Sequence, residues 1–101
     1  MSEAETYIQG LIGYCYAACG RPKRARKFLR DKGDNGTVPA YVRGMIHAQL
    51  GDHDVAIDCL ERAIKERSYQ VLGINVDPAL DPLRSTRRFQ RLVNRVGLEA
   101  V

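Results

Sequence analysis

The sequence lacks long apolar runs. Its most apolar stretch, YIQGLIGYCYAAC at residues 7–19, is shorter than the roughly 20 residues that a membrane-spanning helix needs. The sequence also lacks the basic start of a secretory signal peptide, because Glu3 and Glu5 follow Met1 almost at once. We therefore expect a cytoplasmic protein with no membrane partner, and we expect residues 7–19 to form a buried helix.

Cysteine and histidine are scarce, with three cysteines and two histidines. An odd number of cysteines cannot all pair within one chain, and Cys15, Cys19 and Cys59 each fall within an apolar helical pattern. We expect all three to be reduced and buried. Neither histidine has a metal-ligand spacing from the two nearby cysteines. We therefore expect no metal and no cofactor.

Catalytic motifs are lacking as well. The sequence has no glycine-rich phosphate loop, no H-E-x-x-H pair and no nucleophile elbow. His47 and His53 lie singly in helical patterns, without a carboxylate or nucleophile arranged beside them. We expect His47 to be packed between helices, and we expect the protein not to be an enzyme.

The overall composition is that of a folded domain. Of the 101 residues, 45% are hydrophobic and 28% are charged, as in ordinary globular proteins. This length allows one domain, covering residues 1–101, with one modest core. Apolar residues recur at spacings of three and four, which is typical of helices. The pattern predicts a first helix over about residues 4–19 and further helices that start at Pro22, near Pro39 and after Asp52 as the N-cap.

Two parts of the chain repeat each other at a constant spacing, which we call the repeat offset. Five pairs of small or apolar residues lie 31 positions apart: Gly13 and Gly44, Ala17 and Ala48, Gly20 and Gly51, Ala25 and Ala56, and Leu29 and Leu60. A period of about 20 to 50 residues is typical of a stacked helical array. Small residues let neighbouring helices approach closely, and a glycine permits the turn between them.

These positions resemble the tetratricopeptide pattern of a small residue, a turn glycine, an alanine and a bulky residue. The first unit covers about residues 6–36 and the second about residues 37–67. The units depart from the pattern, because Gln9 and Ala40 replace its tryptophan and His47 replaces its tyrosine. The resemblance implies an all-α fold, with two antiparallel helical hairpins in an α–α superhelix. It also implies a non-catalytic module that binds a protein or peptide.

The tail, at about residues 68–98, is expected to be helical and to cap the stack, since two hairpins alone leave an apolar side open. Its segment VDPALDPLRSTRRFQRLVNRVGL resembles the end of tetratricopeptide-like domains of bacterial multidomain regulators, such as winged-helix transcription regulators and adenylate cyclases. Asp77, Arg84 and Phe89 lie on the matching motif. The resemblance thus implies a bacterial regulatory origin.

Several capping and pairing roles follow for the tail. Asp77 is expected to cap a turn that starts at Pro78, and Ser85 or Thr86 to cap a last helix that ends at Gly97. Arg84 and Arg88 are expected to pair with the carboxylates of Asp77 or Asp81.

The resemblance also suggests site residues, because the first helix of each tetratricopeptide unit lines a concave groove. The groove residues carried over to this chain are Tyr14, Tyr41, Met45 and Gln49. Structural roles in turns and close packing are expected for Gly13, Gly20, Ala25, Gly44, Gly51, Ala56, Asp77, Arg84 and Phe89.

Charge leaves the partner open. The net charge is +4 and seven of the residues 21–32 are basic, so the partner could be an acidic protein surface or peptide. Self-association through an incompletely covered apolar face is an alternative. Nucleic-acid or polyanion binding through the basic clusters is another. We do not expect nucleic-acid binding, because the aromatic residues near these clusters, Phe28 and Phe89, are assigned to the core.

Overall fold

The computed structural model describes residues 3–32 and 38–99. Within these ranges every regular element is helical, which confirms the predicted all-α, tetratricopeptide-like fold. The boundary between the two predicted units, at about residues 36 and 37, lies outside the described residues. The elements are α1 (Glu3–Ala18), α2 (Pro22–Lys32), α3 (Ala40–Leu50), α4 (His53–Lys65), two 3₁₀ helices (Tyr69–Gly73 and Pro78–Leu83) and α5 (Arg87–Glu99).

The helices α1 and α2 form one hairpin, and α3 and α4 form another, with the same turn in both. Gly20 has φ +76° and Gly51 has φ +83°, a left-handed conformation that strains residues with a side chain. The N–H of Gly20 donates to Ala17 O at 3.3 Å, and the N–H of Gly51 donates to Ala48 O at 3.2 Å. The repeat offset therefore extends to the hydrogen bonds that end the helices.

Small residues bring the two helices of each hairpin together. A Cβ placed on Gly44 would lie 2.9 Å from Leu60 Cδ2, and one on Gly13 would lie 2.7 Å from Phe28 Cε1. Ala25 and Ala56 are fully buried. The residue over Gly13 is Phe28, one position before Leu29, the counterpart of Leu60. The bulky residue that packs on the glycine is therefore Phe28 in the first hairpin and Leu60 in the second, and the repeat offset does not relate these two positions.

The second hairpin stacks on the first through α1 and α3. Val42 and Ile46 of α3 are fully buried. A Cβ on Gly10 would lie 2.8 Å from Val42 Cγ1, and one on Gly13 would lie 3.0 Å from Ile46 Cδ1. Two glycines on one side of α1 therefore let the apolar side of α3 approach its backbone.

The tail packs against the second hairpin, with Leu80, Leu83 and Phe89 buried. Asp77 Oδ1 accepts a hydrogen bond from Ala79 N at 3.0 Å and caps the 3₁₀ helix Pro78–Leu83. Arg84 Nε lies 2.7 Å from Asp81 Oδ1, and the two Nη atoms of Arg84 donate to backbone oxygens of the tail, those of Asn75 and Asp77. Arg84 thereby joins the 3₁₀ helix Pro78–Leu83 to the segment that precedes it.

Two tail features differ from the predictions, and a third was left open between two residues. Arg88 pairs with carboxylates of α4, whereas pairing with Asp77 or Asp81 was expected. Gly97 lies inside α5 and does not end it. Of the two candidate caps, Thr86 makes the contact, since its Oγ1 accepts from Phe89 N at 3.2 Å and donates to Leu83 O at 2.7 Å.

Candidate functional site

The groove is predicted on the side of α3 that carries Tyr41, Met45 and Gln49, which we call the inner side. The tail covers this side. Tyr41 and Met45 are only 2% and 5% exposed. The Tyr41 hydroxyl donates to Asp77 Oδ2 at 2.6 Å, and Gln49 Nε2 donates to Ala79 O at 3.0 Å. Three of the four predicted groove residues therefore lie on the side of α3 that holds the tail.

Tyr14 is the predicted groove residue on α1, and it is half-buried beside the same region. Burial is the main cause that raises the pKa of its hydroxyl, and the charges of Asp77, Cys15 and Asp81 raise it further. Tyr14 therefore lies within electrostatic range of two aspartates of the tail.

The opposite side of α1 is apolar and open to solvent. We call it the outer α1 face; its residues are Ile8, Leu11, Ile12, Cys15 and Cys19. Ile8 is 61% and Ile12 is 49% exposed, and both cysteines are exposed. The expected burial of Cys15 and Cys19 is therefore wrong, and so is complete burial of residues 7–19. This stretch contains no charged side chain, so it gives α1 no charged side to turn toward water.

The repeat identifies what this face corresponds to. Leu11 and Cys15 align, at the repeat offset, with Val42 and Ile46. In the second unit those two positions are fully buried against α1, whereas Leu11 is half-buried and Cys15 is exposed. Leu11 and Cys15 of the outer α1 face therefore occupy a stacking position, and no helix of the described residues buries them as fully as Val42 and Ile46 are buried.

Cations of α2 border this apolar face. Tyr16 lies one helical turn after Ile12, and the Arg24 guanidinium is 6.0 Å from the centre of its ring. A shallow depression of about 330 Å³ is lined by Tyr16, Arg24, Lys27, Phe28 and Asp31. We call Arg24 and Lys27 the basic edge. The surface thus combines aliphatic side chains with positive charge, a combination that suits an amphipathic partner.

An ion pair crosses from the first hairpin to the second. Arg26 Nη1 lies 2.9 Å from Asp52 Oδ2, and His47 Nδ1 lies 3.1 Å from the same oxygen. The hydrogen bond from Arg26 is the main cause that lowers the pKa of Asp52. Asp52 occupies the predicted N-cap position of α4, but its side chain makes no capping bond. Its carboxylate instead joins the two hairpins, with His47 half-buried beside it.

A second set of ion pairs joins α5 to α4. Arg88 lies 3.5 Å from Asp54 Oδ1 and 3.3 Å from Glu61 Oε1, and it also contacts the carboxylate of Asp58. The hydrogen bond to Asp58 is the main cause that raises the pKa of Arg88. One arginine therefore spans an acidic stripe on α4.

Metal-ligand clusters and membrane-spanning helices are both absent from residues 3–32 and 38–99. No three side chains of His, Cys, Asp or Glu come together there as metal ligands would. None of the helices in the same ranges combines the length and apolarity that crossing a membrane requires.

Comparison with known families agrees with the geometry of the second hairpin. A family model described as Tetratricopeptide repeat matches residues 40–70, which include α3 and α4. The domain is tetratricopeptide-like. No curated protein and no solved structure gives a match to the chain.

Sequence reasoning missed the outer α1 face of this tetratricopeptide-like domain. Two signals could have found it. The absence of charge over residues 7–19 means that any part of this stretch left uncovered is largely apolar. The repeat offset assigns Leu11 and Cys15 to a stacking position, which requires a preceding surface that the described chain does not supply.

Proposed function

We propose that the protein is a non-catalytic protein-binding module that uses the outer α1 face. The observation that carries this proposal is an apolar helix side that is open to solvent, with Ile8 61% exposed, and that includes Leu11 and Cys15, whose counterparts Val42 and Ile46 are buried in the second unit. Contiguous exposed apolar surface rimmed by polar residues is typical of protein interaction sites. The division into units at about 6–36 and 37–67 and a tail at about 68–98 is part of the same proposal.

The inner side of the hairpins is a second candidate surface. A peptide bound there would contact Tyr14, Tyr41, Met45 and Gln49, the residues that the tetratricopeptide resemblance implies. The 3₁₀ helix Pro78–Leu83 covers three of them, so such a peptide has to displace the tail first. The outer α1 face requires no displacement, and we therefore favour it.

The setting that we propose is a bacterial regulatory protein of the cytoplasm. The D-P-x-x-D-P-L-R segment of residues 77–84 supports this, because it resembles the end of tetratricopeptide-like domains in bacterial multidomain regulators. Asp77 and Arg84 make the contacts that hold this segment in place.

Self-association and polyanion binding are the competing functions. The apolar outer α1 face favours the first, and the exposed arginines and lysines of α2 favour the second. Sedimentation at two protein concentrations measures self-association. A polyanion column eluted with a salt gradient measures the other, because phosphate-type binding weakens steeply as salt rises.

The proposed function is tested by capture of partners from a bacterial lysate on immobilised protein. The variant Ile12→Glu places a charge in the outer α1 face. Leu72→Glu is the matched control, since Leu72 is 78% exposed in the tail. A protein retained by the wild type and Leu72→Glu but lost by Ile12→Glu supports the proposal. Retention that is identical on all three proteins contradicts it.

A further inference from the structure

Equivalent helices of the two hairpins carry opposite charges at the same positions. Lys23, Lys27 and Arg30 of α2 align, at the repeat offset, with Asp54, Asp58 and Glu61 of α4. On α4 the three carboxylates are joined by Arg88, which α5 brings to them. One row of charged side chains, Asp54, Asp58 and Glu61, is therefore paired with a residue of opposite charge from a neighbouring helix.

The equivalent basic residues of α2 have no such match within the described part of the chain. Lys23, Lys27 and Arg30 are exposed, and none of them forms an ion pair with a carboxylate of residues 3–32 or 38–99. Lys27 also belongs to the basic edge beside Tyr16. Positive charge that forms no ion pair with the described carboxylates therefore adjoins the exposed apolar surface.

We infer that the outer α1 face and the basic edge together bind an acidic amphipathic helix of a partner protein. This inference rests on the proposed function and adds the chemistry of the partner. The apolar side of the partner helix covers Ile8 and Ile12, and its carboxylates reach Arg24 and Lys27. Complementary charge at the rim accelerates association and excludes partners of the wrong sign.

Charge argues against a second copy of the chain as the occupant. A copy that presents its own outer α1 face brings the same α2 cations to the interface. A copy that presents α5 brings Arg87, Arg91 and Arg95, which are exposed, while the acidic stripe of α4 is already joined to Arg88. With a net charge of +4, either arrangement places like charges together, which is unfavourable.

The test uses a display library of helical peptides. Every peptide carries the same leucine stripe at helical spacing, and the positions that flank it vary among Glu, Gln and Lys. The library is selected on wild-type protein, on Ile12→Glu, on the double variant Arg24→Glu and Lys27→Glu, and on the control Arg87→Glu and Arg91→Glu. The control makes the same change of charge on α5. Circular dichroism and urea unfolding verify that each variant is folded.

We expect wild type to enrich Glu over Lys at the flanking positions by about tenfold or more, with the preference falling as salt rises. The control should behave like wild type, the α2 double variant should favour Lys, and Ile12→Glu should enrich nothing. Equal enrichment of Glu and Lys, or loss of the preference in the control alone, overturns the inference.

Other occupants give different results. Peptide binding that survives Ile12→Glu overturns the inference in favour of the inner side. A concentration-dependent dimer that Ile12→Glu abolishes overturns it in favour of a second copy. Binding of anionic phospholipid vesicles, with no peptide bound, overturns the inference in favour of a membrane surface. If lysate capture still depends on Ile12 while the library shows no charge preference, only the acidic partner is wrong. If capture is also insensitive to Ile12, the proposed function fails as well.

Discussion

The Tyr41 hydroxyl on α3 donates a 2.6 Å hydrogen bond to Asp77 Oδ2 at the start of the capping 3₁₀ helix. Tyr41 is 2% exposed, so the bond lies at the edge of the core. Tyr41→Phe removes it and leaves the carboxylate without this donor. We expect the free energy of unfolding, measured in urea, to fall by about 1 to 2 kcal/mol.

Tyr16→Phe is the matched control for Tyr41→Phe. Tyr16 is half-buried on α1, and its ring is near the Arg24 guanidinium. Removal of its hydroxyl should cost less than about 0.5 kcal/mol. If the two variants lose the same stability, the Tyr41–Asp77 bond does not hold the tail.

Gly13→Ala and Gly44→Ala should both destabilise the protein, although alanine favours helices more than glycine does. The added methyl would lie 2.7 Å from Phe28 Cε1 in the first case and 2.9 Å from Leu60 Cδ2 in the second. Overpacking of this kind costs about 1 to 3 kcal/mol. Urea unfolding measures the loss for each variant.

Gly97→Ala is the control for the two glycine variants. Gly97 lies within α5, and a Cβ there would meet no atom within 4 Å. Replacement of an exposed helical glycine should stabilise the protein by about 0.5 to 1 kcal/mol. A gain in stability at Gly13 or Gly44 comparable with that at Gly97 would contradict the close packing.

The fold could be predicted because small residues mark the places where two helices pack closely. Gly13 and Gly44, which the repeat offset relates, predicted that helices cross closely at both places, and the all-α fold followed. The offset could not predict which bulky residue fills each crossing. The side chain of α2 nearest to a Cβ at Gly13 is Phe28, and not Leu29, the counterpart of Leu60.

The site was harder to predict than the fold. Tyr41 and Met45 suit a binding groove, but the same side chains suit a core, and their types do not tell which segment covers them. The tail lies over this side of α3, where Asp77 accepts a hydrogen bond from Tyr41 and Ala79 O accepts one from Gln49. For Cys15 the apolar pattern predicted burial, but periodicity identifies only an apolar side of a helix. It does not tell whether another element lies against that side.

Thr86→Ala should destabilise α5 and its packing on α4. Its hydroxyl accepts from Phe89 N at 3.2 Å and donates to Leu83 O at 2.7 Å, so alanine removes two bonds at the start of the helix. Loss of an N-cap hydroxyl costs about 0.5 to 2 kcal/mol. Thermal unfolding should show a lower midpoint for Thr86→Ala than for Ser85→Ala, whose side chain is exposed. Equal midpoints would indicate that Thr86 does not act as the cap.

Arg26→Met should reveal a pH-dependent link between the two hairpins. The bond from Arg26 is the main cause that lowers the pKa of Asp52 below its ordinary 3.8. A lowered pKa in the folded state stabilises the protein above pH of about 4 and ceases to do so as the pH falls through the folded-state value. Because the pair is partly exposed, Arg26→Met should cost only about 0.2 to 1 kcal/mol at pH 7.

The difference between wild type and Arg26→Met should therefore shrink as the pH is lowered from 7 through 4, in urea unfolding at constant ionic strength. Arg62→Met is the control, because Arg62 Nε lies 3.5 Å from Glu66 Oε1 at the end of α4 and its side chain is 66% exposed. Because both residues of that pair lie at the end of the same helix, Arg62→Met should lower the free energy of unfolding at pH 7 by less than Arg26→Met does. A cost of Arg26→Met that stays constant with pH would show that Asp52 does not receive its stabilisation from Arg26.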